Sequence, residues 1–279
     1  MTVDKSTNAA GLPRLPLNLR DHKIPIAINW GVILLCSGIL PIVGFFALRY
    51  GTNLELNIIL SPFLGLTGVS SIFALVKRSY LLLKRDSNCR PLGVEQGWKL
   101  DYFGWNFFFG FIGLTVLISL GIAFESVLVV SLPLSVLLLY VCVELLLAQA
   151  AMAFGMRAPF RFSSLAKGEP QRPGTFVIVE DVVAVDGGQG RAWRSAWSAR
   201  YEASPALRSL LRRLDMLWGT TGLVVVAVVW GLAFGLKNKE IGYAVGWALP
   251  WCWAGIMTIV KIQMSKATLR KEAEMQVQA

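Results

Sequence analysis

The sequence predicts an all-α integral membrane protein. Six transmembrane helices are expected, with a small cytoplasmic lobe (a short strand pair plus an interfacial amphipathic helix) between the fourth and fifth spans. Three observations predict this. Apolar residues make up 55% of the 279, and the mean hydropathy is +0.57, which is high for a soluble domain of this length. The apolar residues gather into blocks, each close to the roughly 20 residues a helix needs to cross the hydrocarbon core. The Lys and Arg residues divide 24 against three between the two sides that those blocks define.

The blocks are Ile26–Leu48, Ile58–Val76, Phe103–Phe124, Val127–Met156, Met216–Leu236 and Ile241–Val260. Lipid offers no partner to a backbone amide, so blocks of this kind are helical. They divide the chain into a tail (1–25), a four-span bundle (26–156), the lobe (157–215), a two-span hairpin (216–260) and a second tail (261–279). The N-terminal residues are polar and lack an apolar core with a cleavage site, so no removable signal peptide is expected and the first span serves as the insertion signal. Cations accumulate on cytoplasmic faces. The basic side contains both tails, the segment Lys77–Tyr102 and the lobe, whereas Arg49, Lys237 and Lys239 alone lie opposite. Both termini are therefore expected in the cytoplasm, at an endomembrane or the plasma membrane.

The net charge of +10 belongs to that cytoplasmic surface. Anionic lipid headgroups attract juxtamembrane cations by about 1 kcal/mol each. Nucleic acid is the rival partner of a basic chain, but no finger or recognition-helix pattern accompanies these charges. Membrane lipid and a cytoplasmic protein are the expected partners.

Within the lobe, Thr175–Val185 is rich in Val and Ile and alternates, which predicts a strand, and Asp186-Gly187-Gly188 supplies turn chemistry. Trp193, Trp197 and Tyr201 then recur every four residues with Arg194 and Arg200 between them. That spacing predicts a helix in the headgroup layer, aromatic face down, with Arg191, Arg194, Arg200, Trp193 and Trp197 as headgroup contacts. Ser204-Pro205 reads as an N-cap with proline in the first turn, opening a helix that runs through Arg208, Arg212 and Arg213 into the fifth span.

Several chemistries are unsupported. The glycine-rich turn lacks the Lys-Ser/Thr ending of a P-loop, and its acids lack calcium-loop spacing. As a strand, 175–185 places Asp181 and Asp186 on opposite faces, unsuited to holding magnesium. The chain has one histidine, His22, and four cysteines without metal spacing, so neither a histidine-based hydrolase nor a zinc site is expected. No cofactor or metal is predicted.

Glu144 is the one acid well inside a span, where an ionised carboxylate costs at least about 2.5 kcal/mol. Two readings stand. It is a proton-transfer acid or ligand contact, with Tyr140 sharing its face one turn earlier. Alternatively it is a neutral glutamic acid gluing two helices, with Gln149 nearby. Gly231-x-x-x-Gly235 closes the fifth span and Gly242-x-x-x-Gly246 opens the sixth, a spacing that lets helix backbones approach closely. Pro41 and Pro250 are expected to kink their helices.

The segments "DHKIP", "CRPLG", "VEDVVAVDGGQGRAWR" and "RYEASP" resemble uncharacterised multi-pass membrane proteins of filamentous fungi. That resemblance implies a eukaryotic endomembrane or plasma-membrane setting and no particular chemistry. Three function classes follow in order: a non-catalytic protein whose basic lobe binds lipid headgroups or a protein partner, a small membrane enzyme acting on a lipid-soluble, isoprenoid-like substrate with Glu144 as its acid, and a transporter.

Overall fold

The computed structural model describes residues 13, 15–16, 23–94 and 100–277, so His22 and most of the N-terminal tail lie outside the described residues. The chain is helical throughout. α1 (Lys23–Leu34) continues through a widened π turn, Leu35–Ile39, into α2 (Leu40–Gly51). There follow α3 (Leu56–Leu83), α4 (Tyr102–Ala123), the single turn α5 (Val127–Val130), α6 (Pro133–Ala153), α7 (Gly174–Val185), α8 (Gly190–Ala203), α9 (Pro205–Gly235) and α10 (Lys239–Val277).

Five helices among the described residues are long and apolar enough to cross a membrane: Ala27–Gly51, Tyr102–Ala123, Pro133–Ala153, Pro205–Gly235 and Lys239–Glu272. Only 17–28% of their most apolar stretches is buried inside the protein. Side chains such as Val43, Val116, Leu147, Val224 and Ile256 instead face outward, as they do when lipid is the surrounding solvent. The second expected block lies in α3, a 28-residue helix outside these five. The fourth block is not one helix. It breaks at Ser131-Leu132, and α6 begins at Pro133 in its first turn, where a missing N–H costs nothing.

Pro41 shows how a span accommodates proline. Its absent N–H leaves the Ser37 carbonyl without its helical partner. The Trp251 indole of α10 donates to that carbonyl at 2.9 Å. The preceding turn is widened, with the Leu40 N–H reaching back to Leu35 O, and Gly38 leaves room for the Trp251 ring.

Two cores result. One lies between the spans, around Phe45, Ile59, Leu60, Leu114, Tyr243 and Trp247. The other joins the lobe to α9 through Phe176, Trp193, Trp197, Tyr201, Leu211 and Leu214.

The lobe corrects the expected strand pair. No strand occurs among the described residues, only two isolated β-bridges, Arg157 with Pro170 and Phe162 with Leu165. The segment read as a strand is α7. Its buried residues are Phe176, Val177, Glu180, Asp181, Ala184 and Val185, a repeat near 3.6 that places one face inward. Tertiary burial of that face outweighs the β preference of its valines. The Asp-Gly-Gly segment does turn the chain, but from helix to helix. Gly188 and Gly190 hold φ of +66° and +59°, a region favouring glycine.

Candidate functional site

The α7–α8 hairpin is fastened to the ends of α3 and α4 by charge. Helical spacing brings Glu180 and Asp181 side by side on the buried face of α7. Arg194 of α8 lies opposite, its Nη1 donating to Asp181 Oδ1 at 2.6 Å and to Glu180 Oε1 at 2.9 Å. Asp101 is the N-cap of α4, accepting from the Gly104 N–H at 2.8 Å, as a short acid does at a helix start. Its other oxygen accepts from Arg78 Nη2 at 2.5 Å and Arg194 Nη2 at 3.3 Å. Arg78 also pairs with Asp186 in the α7–α8 turn. Asp181 Oδ2 accepts from Ser163 Oγ at 2.5 Å and from the Phe103 N–H at 3.0 Å, so α7 helps cap α4.

Arg194, Asp101 and Asp181 are each 0% exposed. Burial pushes the Glu180 carboxyl above its ordinary range, with Arg194 opposing. Burial, then neighbouring Asp101, raises Asp181 to about 7 against the pull of Arg194. Such a buried pair titrates as a unit. Breaking a buried pair by removing one partner costs about 3–5 kcal/mol.

A second polar group joins α4 to α6. Glu144 Oε1 accepts from the Tyr102 hydroxyl and the Asn106 amide. Tyr140 does not reach Glu144 directly; its hydroxyl donates to Asn106 Oδ1 at 3.0 Å. Gln149 serves elsewhere, donating to Asp215 at 2.7 Å. Asp215 of α9 also accepts from the Gly174 and Thr175 N–H groups at 2.7 and 2.8 Å, an anion at the positive end of α7. Tyr102 and Asn106 line a cavity of about 430 Å³ whose wall also holds Trp105, Phe109, Phe160 and Arg161.

The expected headgroup contacts turn inward. Trp193 and Trp197 are 3% and 6% exposed and stacked on each other; Trp197 also stacks on Phe176, and its indole donates to Phe176 O. Arg200 pairs with Glu272 of α10 at 2.5 Å. Arg191, half-buried, donates to Val94 O at 3.4 Å. The aromatic stripe was legible as a buried face; its spacing could not say whether protein or lipid covers it.

Of the four glycines singled out, Gly242 packs on Ala233 and Gly246 on the Ser131 carbonyl, whereas Gly231 and Gly235 face open space. The tightest glycine contacts of α9 come from Gly219 against Leu146 and Gly222 against Cys142, whose three-residue spacing was the available signal. Asp101 and Arg78 were also missed: an Asp directly before the apolar block was a readable N-cap signal, whereas its pairing with Arg78 across 23 residues leaves no local pattern.

No cluster of three or more His, Cys, Asp or Glu suited to a metal occurs among the described residues. A family model described as a domain of unknown function, DUF8766, matches residues 1–276, and the chain belongs to that family. No curated protein and no solved structure matches it.

Proposed function

We propose that this member of the DUF8766 family is a non-catalytic, six-span membrane protein that seats an anionic phospholipid where its cytoplasmic lobe meets the bilayer. α3 is taken as the sixth span. It leaves α2 through the short connection 52–55 and ends at the lobe, where Arg78 meets Asp101 and Asp186. Lys84, Arg85, Arg212, Arg213, Lys266 and Arg270 are exposed on the lobe side, with no ion-pair or hydrogen-bonded side-chain partner among the described residues. They form a belt suited to anionic headgroups.

The observation that carries the reading is Arg161. Its guanidinium donates to Leu92 O at 2.8 Å, Ser163 O at 3.1 Å and Gly93 O at 3.2 Å. Three neutral carbonyls hold it in place, and no carboxylate pairs with it among the described residues. It sits on the wall of the aromatic cavity, beside Phe160 and near Phe109, both exposed outward. A fixed guanidinium with no carboxylate partner among the described residues suits a phosphate, and the aromatic wall suits the adjoining chain.

The test is lipid retained by protein purified from mixed neutral and anionic membranes, read by mass spectrometry. Anionic phospholipid should be retained by wild type and by Arg161→Lys. Arg161→Gln should retain about fivefold less, the worth of one cation at the surface. Equal retention by Arg161→Gln removes the site.

One link favours a second reading, a membrane enzyme with Glu144 as acid. Tyr102 and Asn106 both touch the cavity and both hydrogen-bond Glu144, so the carboxyl stands one hydrogen bond from the cavity wall.

A further inference from the structure

The seam between lobe and membrane holds more carboxylate than guanidinium. Asp101, Glu180 and Asp181 are buried, and Asp186 lies at the rim; among the described residues, Arg78 and Arg194 are the cations paired with them. With every group ionised, the three buried carboxylates exceed the two buried guanidinium groups by one negative charge. A buried charge without a counter-charge is relieved by taking up a proton.

Hydrogen bonding indicates where that proton sits. Both oxygens of Asp101 accept, from the Gly104 N–H on one side and the two guanidinium groups on the other. Both oxygens of Asp181 accept, from Arg194, Ser163 and the Phe103 N–H. Glu180 differs. Its Oε1 accepts from Ser164 and Arg194, while its Oε2 is buried with no hydrogen-bond partner. Donors favour the ionised form of the carboxylates they reach, and Oε2 is the oxygen without one.

We propose that the seam binds one exchangeable proton, seated at Glu180 Oε2, and that its loss loosens the lobe from α3 and α4.

Among the described residues, the surrounding elements supply no other counter-charge at bonding distance. On α3, Lys77 is exposed and acts on Asp186. From the segment after α3, Cys89 contributes its carbonyl to Arg194, and Arg90 is engaged by the carbonyls of Leu82, Lys84 and Arg85. Arg161 holds carbonyls, and Arg172, more distant, pairs with Glu202. On α8, Arg191 bonds Val94 O. From α6, Glu144 is occupied by Tyr102 and Asn106, and from α9, Asp215 caps the start of α7. The raised position of Glu180 agrees with the bonding pattern. A carboxyl held above its ordinary value of 4.5 contributes stability that is complete below that value and is lost as pH rises through its folded-state value. The lobe is therefore most firmly attached on the acid side, and the attachment weakens as pH rises above the ordinary carboxyl value.

Infrared spectra of the full chain in nanodiscs, taken as pH is raised from the ordinary carboxyl value of 4.5 until the band is lost, read the proton directly. Wild type should show a protonated-carboxyl band that disappears with rising pH, and a thermal midpoint that falls across the same window. In Glu180→Gln two buried carboxylates face two guanidinium groups, and Asp181 loses the Glu180 charge that helps to raise it, so the band should be missing and the fall in thermal midpoint abolished. Ser164→Ala removes a donor to the ionised carboxylate and should move the infrared midpoint upward by roughly one pH unit. It decides the matter should Glu180→Gln fail to fold. A band that titrates unchanged in Glu180→Gln overturns the proposal, as does a Ser164→Ala midpoint equal to that of wild type, or a wild type with no titrating band.

Discussion

Glu144 was conspicuous in the sequence because acids are costly in a span, yet its partners were not legible. Spacing within one helix suggested Tyr140, and the structure supplies Tyr102 and Asn106 from α4, with Tyr140 reaching only Asn106. A contact between helices leaves no mark in either helix's periodicity. The geometry allows the two readings of Glu144 to be separated. Glutamine keeps an oxygen that can accept from Tyr102 and Asn106, so as a helix tie Glu144→Gln should cost less than about 1 kcal/mol. Leucine leaves both donors unpaired and should cost about 1–3 kcal/mol for each donor that stays buried. Thermal unfolding of both variants in one lipid mixture gives the comparison. A proton donor behaves differently: Glu144→Gln then melts like wild type while cellular activity is lost. Unchanged melting with unchanged activity eliminates the enzyme reading.

Elements were more legible than their surroundings. The start of α9 was readable from Ser204-Pro205, and Ser204 Oγ does accept from the Leu207 N–H at 3.0 Å. α7 was misread because Val and Ile suggest a strand, although Phe176, Val177, Glu180, Asp181, Ala184 and Val185 already share a helical face once Glu180 and Asp181 count as buried. The sequence pattern treated acids as surface residues, and only the three-dimensional pairing with Arg194 makes them interior ones. A similar ambiguity applies to glycines, since small-residue spacing does not name a facing helix. A Cβ on Gly222 would collide with Cys142 Sγ, whereas one on Gly231 meets nothing within 4 Å. Gly222→Ala should therefore destabilise the α6–α9 contact by about 1–3 kcal/mol, as overpacking does. Gly231→Ala should be neutral or mildly stabilising, since alanine is the better helix former. Cys142→Ala should restore much of the loss in Gly222→Ala, because the colliding atom is gone. A double-mutant cycle on thermal stability measures that coupling, and purely additive effects would place the packing elsewhere.

At the scale of the whole molecule, hydropathy gave the helical membrane class and six expected spans, whereas five helices among the described residues are long and apolar enough to cross, and the second block, Ile58–Val76, lies in α3 outside those five. In the structure Arg78 is drawn into the lobe seam, where Asp101 and Asp186 pair with it, so its charge does not bar the proposed sixth span. The side on which each connection lies follows from α3. Residues 52–55 join α2 to α3, and Cys89 lies in the segment beyond α3. With six spans, the 24-to-3 charge division puts Cys89 in the cytoplasm and Asn53 on the opposite face. With α3 lying outside the bilayer core, Cys89 and Asn53 share one face. An Asn53→Cys chain lacking Cys36 and Cys252, both replaced by alanine, and a matching chain that keeps only Cys89 and Cys142 separate the two cases. An impermeant thiol reagent applied to sealed cells should label Asn53→Cys at once and Cys89 only after permeabilisation. Cys142 is buried against α9 and should stay unlabelled in both. Labelling of Cys89 and Asn53→Cys from the same side would make α3 a surface helix. It would also place the lobe seam, which α3 enters through Arg78, on the face where Asn53 lies.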